Sequence, residues 1–153
     1  MKAAYIQKAG PPENIIFGEL DTPEPGDEQC LVKVSAVALN PIDTYIRSGL
    51  IKANLAPHYI LGCDLAGTVH KTGPEVRRFK VGDRVWGTNQ GLQGRQGTFA
   101  EFAAVDEKYL YPIPSGVRDE DAAAQSLVGI TSYLGLVTHA RIEAGETLFV
   151  NGG

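Results

Sequence analysis

Between residues 30 and 40 the chain reads CLVKVSAVALN, with Cys30, Val32, Val34 and Ala36 at every second position and Lys33 and Ser35 on the opposite parity. A period of two over that length predicts a strand with one buried face. Shorter apolar runs bounded by Gly and Pro predict further strands at 2–7, 14–20, 65–73, 81–87 and 97–107. Residues 22–29, TPEPGDEQ, read as a turn, and YLYPIP at 109–114 reads as extended because two prolines exclude helix. About six strands at this spacing predict a compact β-barrel or sandwich rather than repeated βαβ units.

The pattern changes twice. IDTYIRSGL at 42–50 predicts one short helix closed by Gly49. After residue 116, RDEDAAAQSLVGITSYLGLVTHA lacks proline, and Asp119, Glu120 and Asp121 gather at its start, where a helix dipole favours acids. Leu127, Ile130, Leu134 and Val137 then recur at helical spacing, with Gly129 expected to separate a short first helix from a longer second one. RIEAGE reads as a turn and TLFV as a strand that opens into Asn151, Gly152 and Gly153. Those glycines suit the start of a phosphate-binding loop or, equally, a hairpin turn. A lone strand of the parallel type cannot bury itself, so the chain is expected to stop at the threshold of a nucleotide-binding fold.

Composition narrows the classes. The chain has 153 residues, 43% of them apolar, enough for one domain and a piece of another. A net charge of −4 with scattered Lys and Arg argues against a nucleic-acid partner. The loose basic group Lys71, Arg77, Arg78, Lys80 and Arg84 reads as a solvated rim. Cys30 and Cys63 form no disulfide framework, the N-terminus has no signal-peptide pattern, and no window reaches the roughly 18 apolar residues of a membrane span. The expectation is a soluble, reducing, cytoplasmic setting.

Three stretches carry candidate chemistry. In ALNPIDTYIRSGL a strand ends at Asn40, Pro41 breaks it, and Asp43 and Tyr45 follow. Asn supplies two donors and an acceptor, and Tyr a phenol, which suits a polar planar ligand; the same pattern also makes an ordinary strand-to-helix joint capped by Asp43. In PHYILGCDLAGTV, Gly62 and Gly67 flank Cys63 and Asp64 and allow a tight turn and a close backbone approach. Cys63 reads as a buried thiol and Asp64 as a residue that holds a loop. In WGTNQGLQGRQGTF, glycines at 87, 91, 94 and 97 describe a surface loop, or a flap from which Arg95 reaches an anionic ligand. His58, His70 and His139 share no zinc spacing and read as surface or edge residues.

Taken in order, ALNPIDTYIRSG, ILGCDLAGTV, VGDRVWG, GTFAEFAAV, GITSYLGL and GETLFVNGG resemble the medium-chain dehydrogenase/reductase superfamily, and within it the zinc-independent quinone oxidoreductase group that includes zeta-crystallin. The resemblance implies a mainly β fold with an α connector: a GroES-like catalytic β-barrel over 1–118, a helical connector over 119–145, and over 146–153 the first strand and glycine turn of a truncated Rossmann domain. It implies NADPH as cofactor and a quinone or enone as the small-molecule substrate. Asn40, Asp43 and Tyr45 would be catalytic, with Asn40 at the nicotinamide, Tyr45 donating to the substrate and Asp43 supporting both. Thr131, Gly152 and Gly153 would join Asn40 in binding cofactor, Arg95 would join Tyr45 at the substrate, and Tyr133 would pack.

Zinc-dependent alcohol dehydrogenases of the superfamily carry Cys where Asn40 stands, His where Cys63 stands, and a third ligand, Cys, near Leu127 or Val128. Their four-cysteine structural lobe falls roughly where TNQGLQGRQG lies, which has no cysteine. The resemblance therefore implies no metal at either site. A 153-residue chain by itself is expected to lack reductase activity and to self-associate or form a homo-oligomer through exposed apolar surface. The alternatives are a non-catalytic ligand- or partner-binding GroES-like domain, or a related zinc-independent alcohol dehydrogenase-like reductase.

Overall fold

The computed structural model describes residues 1–52 and 55–151. Among the described residues, eight strands form two antiparallel sheets. β1 (Lys2–Ile6) is central in a three-stranded sheet between β2 (Ile16–Glu19) and β4 (Tyr59–Ile60). The larger sheet runs β7–β3–β5–β6–β8, with β3 at Gln29–Ala38, β5 at Asp64–Thr72, β6 at Arg84–Gly87, β7 at Phe102–Asp106 and β8 at Leu110–Pro112. The segment before β7 stitches the two sheets: Ala3 bridges Ala100, Ala4 N–H donates to the Phe99 carbonyl, and Glu101 N–H donates to that of Lys2.

The alternation in β3 does what it predicts. Cys30 and Val32 are wholly buried with Leu65, Val69, Val85, Val105 and Leu110, and Val34 packs against that cluster. Gly67 in β5 is there for space: a Cβ on it would lie 2.2 Å from the Lys33 carbonyl oxygen across the ladder. Gly62 has φ +102, the left-handed region glycine favours. The expected 81–87 and 97–107 strands are shorter than their patterns. Residues 80–83 form a turn in which Asp83 accepts the Lys80 N–H at 3.0 Å, and residues 97–99 instead pack on the 60–62 segment, where the Gly97 N–H donates to the Ile60 carbonyl at 2.9 Å and an added Cβ would meet the Leu61 carbonyl oxygen at 2.3 Å.

Helix α1 (Pro41–Ser48) ends at Gly49 with φ 82, as a left-handed glycine cap should. Helix α2 (Asp119–Tyr133) does not break at Gly129; it continues into a π-helical turn over Leu134–His139. A helical glycine costs about 1 kcal/mol relative to alanine, which the burial of Ala122, Ala123 and Ser126 against the barrel offsets. The apolar stripe is only partly covered, because Leu134 and Val137 are exposed. The strand expected over 146–150 is not formed: it pairs with nothing among the described residues, and Phe149 is 86% exposed. A strand is defined by its neighbour, and none is present here. Among the described residues no helix is long and apolar enough to cross a membrane.

Candidate functional site

β3 runs into α1 through Asn40. Pro41 occupies the first helical position, where its missing N–H leaves nothing unpaired. Asn40 is the extended N-cap residue, φ −115 and ψ 156, and the Asp43 carboxylate reaches back to accept its backbone N–H at 2.7 Å. The Asn40 side chain also belongs to this capping box. Its Nδ2 donates to Asp64 Oδ2 at 2.9 Å.

Asp64 opens β5 and is wholly buried. Its Oδ2 also accepts the backbone N–H of Leu127 at 3.2 Å, while its Oδ1 accepts the Thr88 hydroxyl. One carboxylate thus joins the end of β3, the exit of β6 and the middle of α2. Its own main-chain carbonyl accepts the Thr98 hydroxyl at 2.8 Å, fixing the backbone beneath it.

Burial dominates the electrostatics. It raises the Asp64 carboxyl above the ordinary carboxylate range, against the opposing hydrogen bonds from Thr88, Asn40 and Leu127. Burial likewise raises Asp43, against hydrogen bonds from the Asn40 N–H and the Cys63 thiol. Cys63 is pushed far up by burial and then by the Asp43 carboxylate, so it remains a protonated, inert thiol. The reading of Cys63 as buried and of Asp64 as a structural holder agrees with these positions.

Above this network lies a hollow of about 530 Å³, within the 300–1,000 Å³ common for small-molecule pockets. Asn40, Pro41 and Ile42 form one wall. Thr88, Asn89 and Leu92 form a second, and Leu127, Ile130, Thr131 and Leu134 of the helix form the third. The surface is mainly apolar with a few polar groups at one end. Such a lining suits a flat, partly polar ring.

The expected site residues divide. Asn40 and Thr131 line this hollow together, although Thr131 also returns its hydroxyl to the Leu127 carbonyl at 2.9 Å. Asp43 is buried behind Asn40 and does not line it. Tyr45 is 43% exposed and does not line it either; it follows Pro41 by four residues and so occupies the same face of α1, one turn on. Arg95 lines a separate hollow of about 560 Å³ with His58. Its guanidinium donates to the Asn89 carbonyl at 2.7 and 3.1 Å and lies 4.6 Å from the Tyr109 ring centre, so it braces the loop wall from behind. Tyr133 does not pack; it is exposed. Gly152 and Gly153 lie outside the described residues. The sequence pattern missed Thr88, Asn89 and Leu92 as lining residues, because loop positions carry no periodicity to read. His58, His70 and His139 are all exposed, as expected. Among the described residues no three His, Cys, Asp or Glu side chains come together as a metal-ligand group.

The fold defines a class. Residues 26–115 match the alcohol dehydrogenase GroES-like domain family, and the chain belongs to it. It is 39% identical over 146 residues to a quinone oxidoreductase of Pseudomonas aeruginosa, covering 95% of this chain and 42% of that one. The structure of Pseudomonas syringae quinone oxidoreductase superposes with a TM-score of 0.84 at 36% identity, over 95% of this chain and 43% of that one. Escherichia coli quinone oxidoreductase complexed with NADPH superposes at 0.83 with 31% identity, over 92% of this chain and 41% of that one. The chain spans 45% of the length of the first curated relatives it matches.

Proposed function

We propose that this chain is the substrate-side portion, with a domain boundary near residue 118, of an NADPH-dependent quinone or enone oxidoreductase that transfers hydride without zinc. The observation that carries the reading is that Asn40 from the barrel edge and Thr131 from α2 line one mainly apolar hollow. The relatives named quinone oxidoreductase, and the Escherichia coli structure complexed with NADPH, support it.

The residues fit a nicotinamide. Ile42, Leu127 and Ile130 offer apolar contact for a ring face, and the Asn40 amide offers a hydrogen-bonding group for a carboxamide. Bound there, NADPH supplies the hydride. Asn40 orients the ring, with its backbone fixed by Asp43 and its side chain by Asp64. Thr131 closes the helix side. Tyr45, exposed one turn further along α1, donates a hydrogen bond to the substrate oxygen as negative charge develops on it. Arg95 acts through the Asn89 carbonyl it holds. The apolar walls exclude water from the transfer.

Zinc does not fit these side chains. A tetrahedral site needs thiolate, imidazole or carboxylate donors. Asn40 commits its amide nitrogen to Asp64, Leu127 has no donor side chain, and among the described residues no three His, Cys, Asp or Glu side chains gather as a ligand group. Quinones and enones accept hydride without a Lewis acid because the reduced product delocalises its charge. A cytoplasmic location agrees with two free, buried cysteines.

The test is a steady-state assay of the whole encoded protein with NADPH and NADH against quinones, enones and aldehydes, alongside metal analysis. Turnover of a quinone or enone with no stoichiometric zinc is expected. Turnover that requires one zinc per chain, or acts only on unconjugated alcohols and aldehydes, would end this reading.

A further inference from the structure

The proposed nicotinamide hollow has walls from three elements, and a single buried side chain touches the backbone or side chains of all three. Asp64 Oδ2 takes both the Asn40 amide and the Leu127 N–H, while Oδ1 takes the Thr88 hydroxyl. We propose that Asp64 is a positioning residue: its carboxylate fixes which way the Asn40 amide faces and clips helix α2 to the barrel at Leu127. The proposal rests on the nicotinamide reading for its purpose but not for its geometry.

The orienting step follows from donor chemistry. An Asn amide has a donor end and an acceptor end of nearly the same shape, and either could face a neighbour. A carboxylate only accepts, so the Nδ2 end must face Asp64 and the Oδ1 end must face away. Three donors converge on one acid, so rotation of the carboxylate would break at least one bond. The side chain is wholly buried, where each such bond is strengthened and each loss leaves an unpaired polar group. No other buried group bridges the barrel and α2 in this way among the described residues: the Ser126 hydroxyl, also buried, returns to the Ala122 carbonyl of its own helix at 2.9 Å.

The clip matters because α2 otherwise meets the barrel through small apolar side chains. Ala122 and Ala123 pack with Ala66 and Ile113. Alanines give little resistance to sliding. The Leu127 bond sets the register of the helix at the height where Ile130 and Thr131 reach the hollow.

The experiment is amide hydrogen exchange and side-chain amide spectroscopy on the full isotope-labelled chain, in the native sequence and in Asp64→Ala and Asp64→Asn. Asp64→Ala is expected to speed Leu127 exchange about tenfold and to collapse the distinct Asn40 side-chain resonances, with Val32 and Val69 protection retained. Asp64→Asn keeps an oxygen for Asn40 and Leu127 and can turn its amide nitrogen to the Thr88 oxygen, so it is expected to restore both signals. Leu127 exchange unchanged in folded Asp64→Ala, or Asp64→Asn behaving like Asp64→Ala, would overturn the proposal. Should Asp64→Ala not fold, Asp64→Ser, which lacks the carboxylate but keeps a polar group, takes its place; faster Leu127 exchange supports the proposal and an unchanged rate overturns it. An NADPH titration of the whole encoded protein separates the two readings: no shift of Asn40 or Thr131 signals removes the nicotinamide, while the variant effects continue to decide the role of Asp64.

Discussion

Asn40 and Asp64, 24 residues apart, meet in a buried hydrogen bond of 2.9 Å from Nδ2 to Oδ2. Asn40 ends one strand and caps a helix; Asp64 begins the neighbouring antiparallel strand, and the register brings Ala38 opposite Asp64. The pairing of β3 with β5 therefore decides that the two side chains can touch.

Asn40→Ala removes that donor and leaves a buried carboxylate with one partner fewer, in addition to altering the helix cap. Together these are expected to destabilise the chain by about 2 kcal/mol. Denaturant unfolding measures it. A loss within experimental error of zero would mean that the bond contributes nothing net.

Asp43→Asn tests the electrostatics. Burial raises the Asp43 carboxyl, so the folded state binds its proton more tightly than the unfolded chain does. The sign follows: this group destabilises the fold once pH exceeds its raised folded value, and the penalty fades as pH falls through that value toward the ordinary carboxylate range. The stability of the native chain relative to Asp43→Asn should therefore fall as pH rises through that window. Surface acids work in the opposite sense. Hydrogen bonds from Arg78 and Arg77 lower Glu107, and those from Lys80 lower Asp83, so their stabilisation is lost at more acidic pH. Unfolding of both proteins across pH 3–7, compared as a difference, cancels the surface contribution. A flat difference would refute the assignment.

The barrel was legible because its strands carry the pattern that burial demands. The alternation of Cys30, Val32 and Val34 marks the core face of β3, and Gly49 marks the end of α1. Gly129 misled because a glycine lowers helix propensity only slightly, while packing of Ala122, Ala123 and Ser126 acts over several turns. The Leu148–Val150 run misled for the converse reason: its residues suit a strand, but pairing requires a neighbour that sequence cannot supply. In the site, Asn40 was readable as a polar residue at a strand end. The convergence of Asn40, Thr88 and Leu127 on Asp64 was not, because those contacts span 24 to 63 residues and depend on register. Arg95 was read by charge alone, and the loop geometry turns it onto Asn89 instead.

Gly67→Ala probes the ladder that creates the Asn40–Asp64 contact. The added Cβ would lie 2.2 Å from the Lys33 carbonyl oxygen, which is backbone and cannot swing aside. Separation of β3 from β5 is expected to cost about 3 kcal/mol. Gly116→Ala is the comparison: nothing lies within 4 Å of its Cβ, so only its φ of +85 resists, at about 1 kcal/mol. Equal losses in thermal or denaturant unfolding would show that the close approach is not what selects glycine in β5.

The exposed apolar end of the helix is expected to drive association. Tyr133, Leu134 and Val137 are exposed at the end of the helix, and Leu148, Phe149 and Val150 are also exposed. Unpartnered apolar area of this kind favours contact with another copy of the chain. Sedimentation equilibrium should show concentration-dependent association, weakened in Leu134→Glu with Phe149→Ser. A monomer at millimolar concentration would refute it.

Arg95→Ala addresses the loop wall of the hollow. The guanidinium holds the Asn89 carbonyl with two hydrogen bonds and stacks on Tyr109, while Asn89 itself has φ +64, a left-handed conformation that asparagine adopts more readily than most residues other than glycine. Without the brace, Asn89 is free to relax toward negative φ and to carry Thr88 with it, which loosens one of the three donors on Asp64. Arg95 is only half-buried and both its bonds go to one loop carbonyl, so global stability should fall by no more than about 1 kcal/mol. The local effect should be larger: faster amide exchange across residues 88–92 and, in the whole encoded protein, a raised KM for the nicotinamide cofactor with kcat altered less. Arg95→Lys keeps the charge but not the paired geometry and should recover little of the loss. Full recovery by lysine would show that charge near the loop, rather than the two-point hold on Asn89, is what the wall requires.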